Sequence, residues 1–330
     1  MTIFFFTMVF CAPSFSNGQT RFRVMSWNVE NLFDTRHDTL KNDQEFLPDA
    51  LRHWNYSRYK KKLADIANVI TAVGEWSPPV LVGLCEVEND SVLRDLTLHS
   101  PLKELDYRYV MTHSPDLRGI DVGLLYQRDQ FKLLSCRSIS IPPLKGFRPT
   151  RDILHVSGLI LTGDTLDVFI CHLPSRSGGA KVSEPYRLHA AKIIYSEADS
   201  ILDTRFHPQI IIMGDFNDYP TDKSIRKVLE SNKFYHLLAR KAQSHNFGSY
   251  KYHGEWGLLD HLIVSKELLN KSGNFFTSED KANVAHLPFL LIDDEKYGDD
   301  EPFRTYKGMK YQGGISDHLP VYTDFELIVH

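Results

Sequence analysis

The chain has 330 residues, 42% hydrophobic and 24% charged, which is the composition of an ordinary globular protein with a sizeable core. Its formal net charge of −4 excludes the overall basic excess that is typical of proteins that coat nucleic acid. It does not exclude an enzyme that acts on nucleic acid, because such an enzyme needs only a locally positive cleft.

The first predicted element is an apolar run from Ile3 to about Ala12, followed by small and polar residues. The run is too short for a membrane span of ~20 residues and suits the core of a secretory signal peptide, although no basic residue precedes it. We therefore predict a signal peptide over residues 1–18, export of the protein to the periplasm or the medium, and a single domain over residues 19–330. A frayed N-terminal strand is the alternative.

Short segments rich in Val, Ile, Leu and Phe then alternate with segments whose apolar residues recur every three or four positions. The predicted strands are 21–29, 80–87, 121–127, 153–161, 166–173, 208–216, 259–265 and 319–329. The predicted helices are 58–73, 184–202 and 224–232. This interleaving indicates a layered α/β domain. Residues 271–314 are polar and weakly periodic, which predicts a long loop with little strand.

Polar side chains appear where the apolar segments end. They are Asn28, Glu30, Glu86, His172, Asp215, Asn217, Asp260, His261, Asp317 and His318. Each taken alone could be a turn or a strand end that reaches solvent, since Gly, Asp and Asn favour turns. These residues fall at the ends of six apolar segments, and six such coincidences in one chain are much less probable than any one of them. If the strand ends converge, they form a pocket of carboxylates, imidazoles and amides, which suits phosphate chemistry with a hard cation.

The segments "WNVENL", "CEVEN", "CHLPSR", "MGDFND", "LLDHLIVS" and "SDHLPV" resemble, in this order, the motifs of the endonuclease/exonuclease/phosphatase superfamily. The likeness extends from about Arg21 to Phe325, and "GDFN" with a terminal "SDH" is its most specific part. It implies an α/β fold, a four-layer sandwich of two mainly antiparallel β-sheets packed face to face with helices outside. It also implies hydrolysis of phosphate esters with a divalent cation, Mg²⁺ being expected and Mn²⁺ or Ca²⁺ being alternatives.

The resemblance assigns metal ligands to this sequence. Glu86 is the principal ligand, with Asn28 beside it and Asp317 as a further ligand. Glu30 and Glu88 are expected only as neighbours behind these ligands. Mg²⁺ keeps several waters, so one or two carboxylates suffice to bind it.

The resemblance also assigns catalytic roles. Asp215 orients or deprotonates the attacking water, and Asn217 donates a hydrogen bond to a phosphate oxygen. His172 and His318 contact the phosphate, and Asp260 orients the ring of His318 and favours its charged form. Which of these groups is the general base stays open.

Arginines are the predicted substrate-binding residues, because guanidinium groups match phosphate geometry. They are Arg118, Arg148, Arg151 and Arg176. A solvated surface charge is the alternative for each. The resemblance also implies that Asp121, on the strand that follows Arg118, is the partner of His172.

The segments "RGIDVGLLY", "HLPSRSGG" and "FRTYKGMKYQGGISDHLPV" resemble extracellular bacterial nuclease-like members of the superfamily. We therefore expect a secreted, monomeric nuclease that hydrolyses nucleic-acid phosphodiester bonds by metal-assisted in-line attack of water, with no obligate protein partner. A sphingomyelinase-type phospholipase or a sugar- or inositol-phosphate phosphatase is the alternative. A lipid enzyme would expose an aromatic hairpin, for which Phe275 and Phe276 are the candidates. A binding module without chemistry is disfavoured, because each main catalytic position holds the expected residue type.

Overall fold

The computed structural model describes residues 19–329, so the predicted signal peptide lies outside the described residues. The helices are α1 (Tyr56–Gly74), α2 (Asp90–Leu98), α3 (Ala180–Thr204) and α4 (Lys223–Val228). The strands are β1 (Gln19–Leu32), β2 (Leu81–Val87), β3 (Arg108–Met111), β4 (Asp121–Tyr126), β5 (Phe131–Ile139), β6 (Ile153–Ile160), β7 (Thr165–His172), β8 (Gln209–Asp215), β9 (Phe234–His236), β10 (Tyr250–Tyr252), β11 (Glu255–Gly257), β12 (Asp260–Ser265), β13 (Phe275–Phe276), β14 (Ala282–Val284), β15 (Leu291–Asp293), β16 (Asp300–Pro302), β17 (Tyr306–Lys307), β18 (Lys310–Tyr311) and β19 (Val321–Ile328).

Two large sheets form the centre of the molecule. The first sheet has the strand order β13-β19-β1-β2-β4-β3, with β14 also paired to β19, and the second has the order β5-β6-β7-β8-β12-β9. Each sheet contains one parallel pair, β1 with β2 and β7 with β8, and the other large-sheet pairs are antiparallel. Both sheets are therefore mainly antiparallel, as predicted.

The two sheets pack face to face and bury a continuous apolar core. Gly83 of β2 lies against Ile170 of β7 and Met213 of β8, so these strands cross closely. The outer face of the second sheet packs on α3, where Phe169 and Ile212 meet Ile194 and its neighbours in a separate apolar cluster. The buried side of α1 joins the larger core on the first sheet. The predicted four-layer α/β sandwich with few, outer helices is confirmed.

Apolar periodicity located the main elements well. All eight predicted strands and all three predicted helices are present, with shifts at their ends. Helix α2 was missed, although Asn89 caps it by accepting a hydrogen bond from the Val92 amide, a recognisable start signal. Edge strands were also missed. β3 and β9 have only four and three residues and show little periodicity, and most residues of the nine-residue β5 are exposed.

The segment 271–314 contains strands of only two or three residues, which agrees with the predicted lack of regular strand. Phe275 and Phe276 belong to β13, pair with β19, and are 2% and 8% exposed. These two residues, the candidates for the exposed aromatic hairpin of a lipid enzyme, are therefore not exposed. No helix within residues 19–329 is long and apolar enough to cross a membrane.

Candidate active site

The register of the second sheet brings three predicted site residues into one row. His172, the last residue of β7, lies opposite Asp215, the last residue of β8. Asp260 also lies opposite Asp215, because β12 runs antiparallel and begins where β8 ends. Side chains alternate along a strand, and Ile170 and Met213, two residues earlier, face the first sheet. The three polar side chains therefore point into the gap between the sheets.

The first sheet supplies its residues through irregular backbone. The pairing of β1 with β2 shifts register after Asn28, and the pairing of β2 with β4 shifts around Glu86. Glu30, Asn31 and Glu86 have φ values of 50°, 53° and 66°, a conformation that costs of order 1–3 kcal/mol for a residue with a side chain. Bulges of this kind re-aim side chains. Here they turn Glu86 out of the sheet and towards the cleft.

Gly214 allows β7 and β8 to end close together. Its φ is +136°, and a Cβ atom at this position would lie 1.9 Å from the carbonyl oxygen of Cys171. Only glycine fits this backbone without displacing its neighbour. The glycine of "GDFN" is therefore needed to place Asp215 beside His172.

These strand ends surround a cleft of about 630 Å³. Its lining contains the predicted catalytic and metal-binding side chains except Asp260, which lies behind His318. The polar residues that line it include Asn28, Glu30, Asn31, Glu86, Arg118, His172, Ser175, Arg176, Asp215, Asn217, Tyr219, Tyr250, Tyr252, Asp317 and His318. Residues from both sheets, distant in sequence, thus share one solvent-filled space.

Asp215 lies at the centre of the site. Its Oδ2 atom accepts a hydrogen bond from Asn28 at 3.0 Å and lies 3.6 Å and 3.9 Å from Nε2 of His172 and His318. Its Oδ1 atom accepts the backbone N–H of Asn217 at 2.8 Å. Burial raises the pKa of Asp215 to about 7, against the opposing effect of His318. A carboxylate with a pKa near neutrality can accept a proton from water.

The two histidines of the cleft differ in charge. Burial lowers the pKa of His172 well below its usual value, and the nearby cations Arg151 and Arg118 lower it further. Burial also opposes the charging of His318, but Asp260 and Asp215 raise its pKa to about 10. The cleft therefore presents one neutral imidazole and one imidazolium to a ligand, and such separation of pKa values marks distinct roles in catalysis.

The predicted support of His172 by Asp121 is wrong. Asp121 accepts hydrogen bonds from Thr112 Oγ1 at 2.6 Å and from the Ser114 amide at 3.0 Å. Nδ1 of His172 is buried and has no hydrogen-bond partner among residues 19–329. Asp121 instead holds the strand β4 to the loop before it.

Asn217 differs from its predicted role in one respect. Its side-chain amide donates to the carbonyl oxygen of Leu173 at 3.1 Å and to Asp215 at 3.4 Å. An amide nitrogen has two hydrogens to donate, and both are engaged here. Donation to a phosphate oxygen would require this side chain to turn.

The three predicted metal ligands lie on the wall of the same cleft. Glu86 accepts the N–H of Asn31 at 2.8 Å, Asn28 Oδ1 accepts the N–H of Glu30 at 3.0 Å, and Asp317 pairs with Arg304. No cluster of three or more His, Cys, Asp or Glu side chains with metal-binding geometry occurs within residues 19–329. The donors are nonetheless hard oxygens, and Mg²⁺ needs few protein ligands. The residues present fit a divalent cation of this type.

Two cations beside these ligands were not found from the sequence. Arg304 donates to Asp317 at 2.6 Å and lies 3.8 Å from Glu30. Lys62 is buried and donates to the carbonyl oxygen of Glu30 and to Thr305. Burial raises the pKa of Glu30 and lowers that of Lys62. Lys62 lies in the predicted helix 58–73 and Arg304 in the predicted loop, so neither stood at a strand end.

The four predicted arginines separate into two pairs. Arg118 and Arg176 line the cleft; Arg118 donates to Asn31 at 2.7 Å. Arg148 and Arg151 lie outside it, on a neighbouring cavity of about 620 Å³ that shares Arg118 with the cleft. Arg151 is buried, pairs with Asp116 at 3.0 Å and donates to the carbonyl oxygen of Leu173. Direct substrate binding by Arg151 does not agree with this burial, whereas Arg148 is exposed.

Tyrosines form a further wall that the sequence analysis missed. The ring of Tyr250 lies 4.9 Å from that of His318, and Arg176 covers the ring of Tyr219 at 4.2 Å. Tyr252 lies two residues after Tyr250 on the β10–β11 hairpin. Aromatic residues near the "LLDHLIVS" motif were the available signal.

A four-layer sandwich with carboxylates, amides, one neutral imidazole and one imidazolium at one edge suits the hydrolysis of phosphate esters. The sequence profile of the endonuclease/exonuclease/phosphatase family matches residues 23–327. The chain therefore belongs to this family, whose members are hydrolytic phosphoesterases and generally use divalent metals. No curated protein sequence matches the chain.

Solved structures similar to this chain include a human, a bacterial and a nematode protein. The human nocturnin catalytic domain with bound sulfate has a TM-score of 0.58 and 19% identity, over 94% of this chain and 96% of that one. The mannosyl-6-phosphatase of Bacteroides thetaiotaomicron has a TM-score of 0.60 and 16% identity, and the match covers 92% of this chain and 99% of that one. Truncated Caenorhabditis elegans TDP2 has a TM-score of 0.58 and 13% identity, and the match covers 93% of this chain and 98% of that one. At these identities the likeness is one of fold.

Proposed function

We propose that this protein is a divalent-metal-dependent nuclease that hydrolyses nucleic-acid phosphodiester bonds. The observation that carries the proposal is Asp215, with a pKa near 7, between a neutral His172 and a cationic His318 in one cleft. At one pH, Asp215 of such a site can accept a proton from water while His318 donates a hydrogen bond to a phosphate.

In the proposed reaction, a water oxygen bonds to phosphorus and the bond from phosphorus to the leaving oxygen breaks. Asp215 receives one proton of the water, and His318 donates a hydrogen bond to a phosphate oxygen. The leaving oxygen departs as an alkoxide and takes its proton from solvent. Glu86, Asn28 and Asp317 would hold the cation, preferably Mg²⁺, with Mn²⁺ or Ca²⁺ as alternatives. When bound there, such a cation would supply Lewis-acid polarisation of the phosphate and stabilisation of negative charge on the leaving oxygen.

Two arginines, Arg118 in the cleft and Arg148 in the cavity beside it, support a substrate with more than one phosphate. The cleft continues past Arg118, Ser175 and Ser177 into the cavity of about 620 Å³ beside it. Arg148 is exposed there and forms no ion pair with any residue of 19–329. A polymer that runs along this path would place neighbouring phosphates near Arg118 and Arg148. A small monoester would use the cleft alone.

The lipid alternative has lost its supporting feature, since Phe275 and Phe276 are buried in the first sheet. Hydrolysis of a sugar or inositol phosphate is the remaining alternative, and one protein of the same fold is described as a mannosyl-6-phosphatase. This alternative enters the experiment below as a second substrate.

The test is hydrolysis by the purified protein of plasmid DNA, single-stranded oligonucleotides, mannose 6-phosphate, an inositol phosphate and sphingomyelin, each with Mg²⁺ and with EDTA. We expect metal-dependent cleavage of DNA, abolished by Asp215→Asn and retained in Asp49→Asn, which changes an exposed carboxylate outside the cleft. Intact DNA together with hydrolysis of one small ester would contradict the proposal.

Secretion to the periplasm or the medium is part of the proposal and rests on the apolar N-terminal run. The full-length chain should appear in the exported fraction with a new N-terminus near Gln19. N-terminal sequencing of the exported protein checks this, and an uncleaved Met1 in the cytoplasmic fraction contradicts it.

A further inference from the structure

A smaller cavity, of about 230 Å³, adjoins the active-site cleft beside the β10–β11 hairpin. We call it the hairpin cavity; the hairpin lines one side, and residues between Asp294 and Lys307 line the other. Tyr250 and Tyr252 line both the cleft and the hairpin cavity. These alternate residues of β10 project from the same face of the hairpin. A ligand in the cleft therefore lies next to the hairpin cavity.

Three rings form a stack along the hairpin cavity. The Tyr252 and His253 rings lie 4.1 Å apart at 17°, and those of His253 and Tyr297 lie 6.0 Å apart at 18°. His253 has a φ of 51° in the tight turn of the hairpin. Tyr252 is the ring of the stack that lines the cleft, and it is 57% exposed. The stack therefore offers an accessible ring whose orientation the neighbouring rings support.

The hairpin cavity is also cationic. Its lining contains the carboxylates of Asp294 and Glu301 and four cationic side chains, which are those of Lys251, Lys296, Arg304 and Lys307. Lys251 is 3% exposed and binds Asp294 at 3.1 Å, so it fixes the hairpin to the opposite segment. Lys307 is 62% exposed and pairs with Glu301 at 3.0 Å. Lys296 is exposed and forms no ion pair with any residue of the described chain. These two lysines can reach an anionic ligand.

We propose that the hairpin cavity binds the nucleotide that flanks the scissile phosphate, with its unpaired base stacked on Tyr252 and its phosphate near Lys296 and Lys307. The inference rests on the proposed nuclease function and narrows its substrate to single-stranded nucleic acid. In a duplex, neighbouring bases already cover both faces of each base. Every base has a π-face, so stacking on a tyrosine tolerates all sequences.

Stacking is tested with single-stranded oligonucleotides that carry 2-aminopurine, whose fluorescence is quenched when its ring stacks. The Asp215→Asn protein with Mg²⁺ serves as the background, since it blocks hydrolysis. We expect quenching on binding that is lost when Tyr252→Ala is added and kept when Tyr252→Phe is added. Tyr56→Ala, which removes an exposed tyrosine of α1, is the matched control and should leave the quenching intact. Equal quenching in all variants overturns the inference.

Kinetics separate this inference from the proposed function. Tyr252→Ala should raise KM for a single-stranded oligonucleotide by roughly 5- to 100-fold, and much less for the same strand with abasic residues around the scissile bond. If the protein cuts DNA but Tyr252→Ala affects both strands equally, or if duplex is cut as readily as single strand, the inference fails and the nuclease function stands. If the unaltered protein cuts no nucleic acid, the proposed function fails, and the inference fails with it.

Discussion

Asp260 and His318 join the two sheets of the sandwich at the candidate active site. Asp260 begins β12 of the second sheet, whereas His318 lies just before β19 of the first, and Oδ2 of Asp260 lies 2.7 Å from Nδ1 of His318. The hydroxyl of Ser249 donates to the same oxygen at 2.6 Å. The hydrogen bond therefore both orients the imidazole and favours its protonated form.

The substitution Asp260→Asn should lower the pKa of His318, because it removes the carboxylate that raises it. Nitrogen-15 NMR of the histidine rings in EDTA checks this: His318 should be an imidazolium at pH 8 in the unaltered protein and neutral in the variant. We also expect kcat to fall by roughly 10²- to 10⁴-fold, the usual range for positioned acid–base groups. Asp90→Asn is the control, because Asp90 pairs with His113 on the surface. An unchanged His318 resonance would contradict the assigned pairing.

Removal of divalent metal should abolish hydrolysis, and Mg²⁺ should restore it. Glu86→Gln should raise the Mg²⁺ concentration for half-maximal activity at least roughly tenfold, because it replaces the predicted principal ligand. Mg²⁺ should also raise the Tm of the unaltered protein, since a ligand that binds the folded state stabilises it. Calorimetry with and without Mg²⁺ measures this independently of activity. Glu104→Gln, an exposed change on the surface, should behave as the unaltered protein does.

The buried pair of His236 and His261 should make the protein sensitive to acid. His236 Nδ1 accepts the Leu238 amide at 3.1 Å, its Nε2 donates to His261 Nδ1 at 2.6 Å, and His261 Nε2 donates to the Asp218 carbonyl at 2.9 Å. Each ring is therefore neutral. Burial lowers the pKa of His236 well below its usual value and that of His261 to about 4.

The sign of the pH effect follows from proton binding. Below a pH of about 6.5 the unfolded chain protonates both histidines and the folded chain does not, so the free energy of unfolding falls as pH falls towards 4. The contribution approaches about 1.4 kcal/mol per pH unit for each ring. Urea titrations at pH 7, 6 and 5 should show a steeper decline in the unaltered protein than in the double variant His236→Gln/His261→Gln. Parallel declines would contradict the predicted charge states.

The substitution Gly214→Ala should cost more than about 4 kcal/mol of folding free energy, because its Cβ would overlap the Cys171 carbonyl. Gly163→Ala is the matched control. Its φ is +87°, but no atom lies within 4 Å of a Cβ there, so we expect a cost of roughly 1–2 kcal/mol. Soluble yield and denaturant midpoints measure both. Equal losses would show that the φ value, and not the close approach of β7, dominates at Gly214.

Several features outside the motifs depended on contacts that no local pattern reveals. The guanidinium of Arg304 reaches Asp317 from a polar loop, and Lys62 reaches the carbonyl oxygen of Glu30 from the middle of α1. Asp121 lies at a strand end but bonds within its own loop. Sequence spacing predicts which face of an element a side chain occupies, not which distant element meets it.

The sequence by itself determined the strands and helices through its apolar periodicity, and its motifs determined the family, the sandwich and the residues of the candidate site. Apolar periodicity follows from the burial of one side of each helix and both sides of each inner strand, and it can be read without knowing the partners. The tertiary structure alone decided the neutral state of His172, the burial of Phe275 and Arg151, and the tyrosine wall of the cleft. These properties depend on desolvation and on atoms brought within a few ångströms by packing.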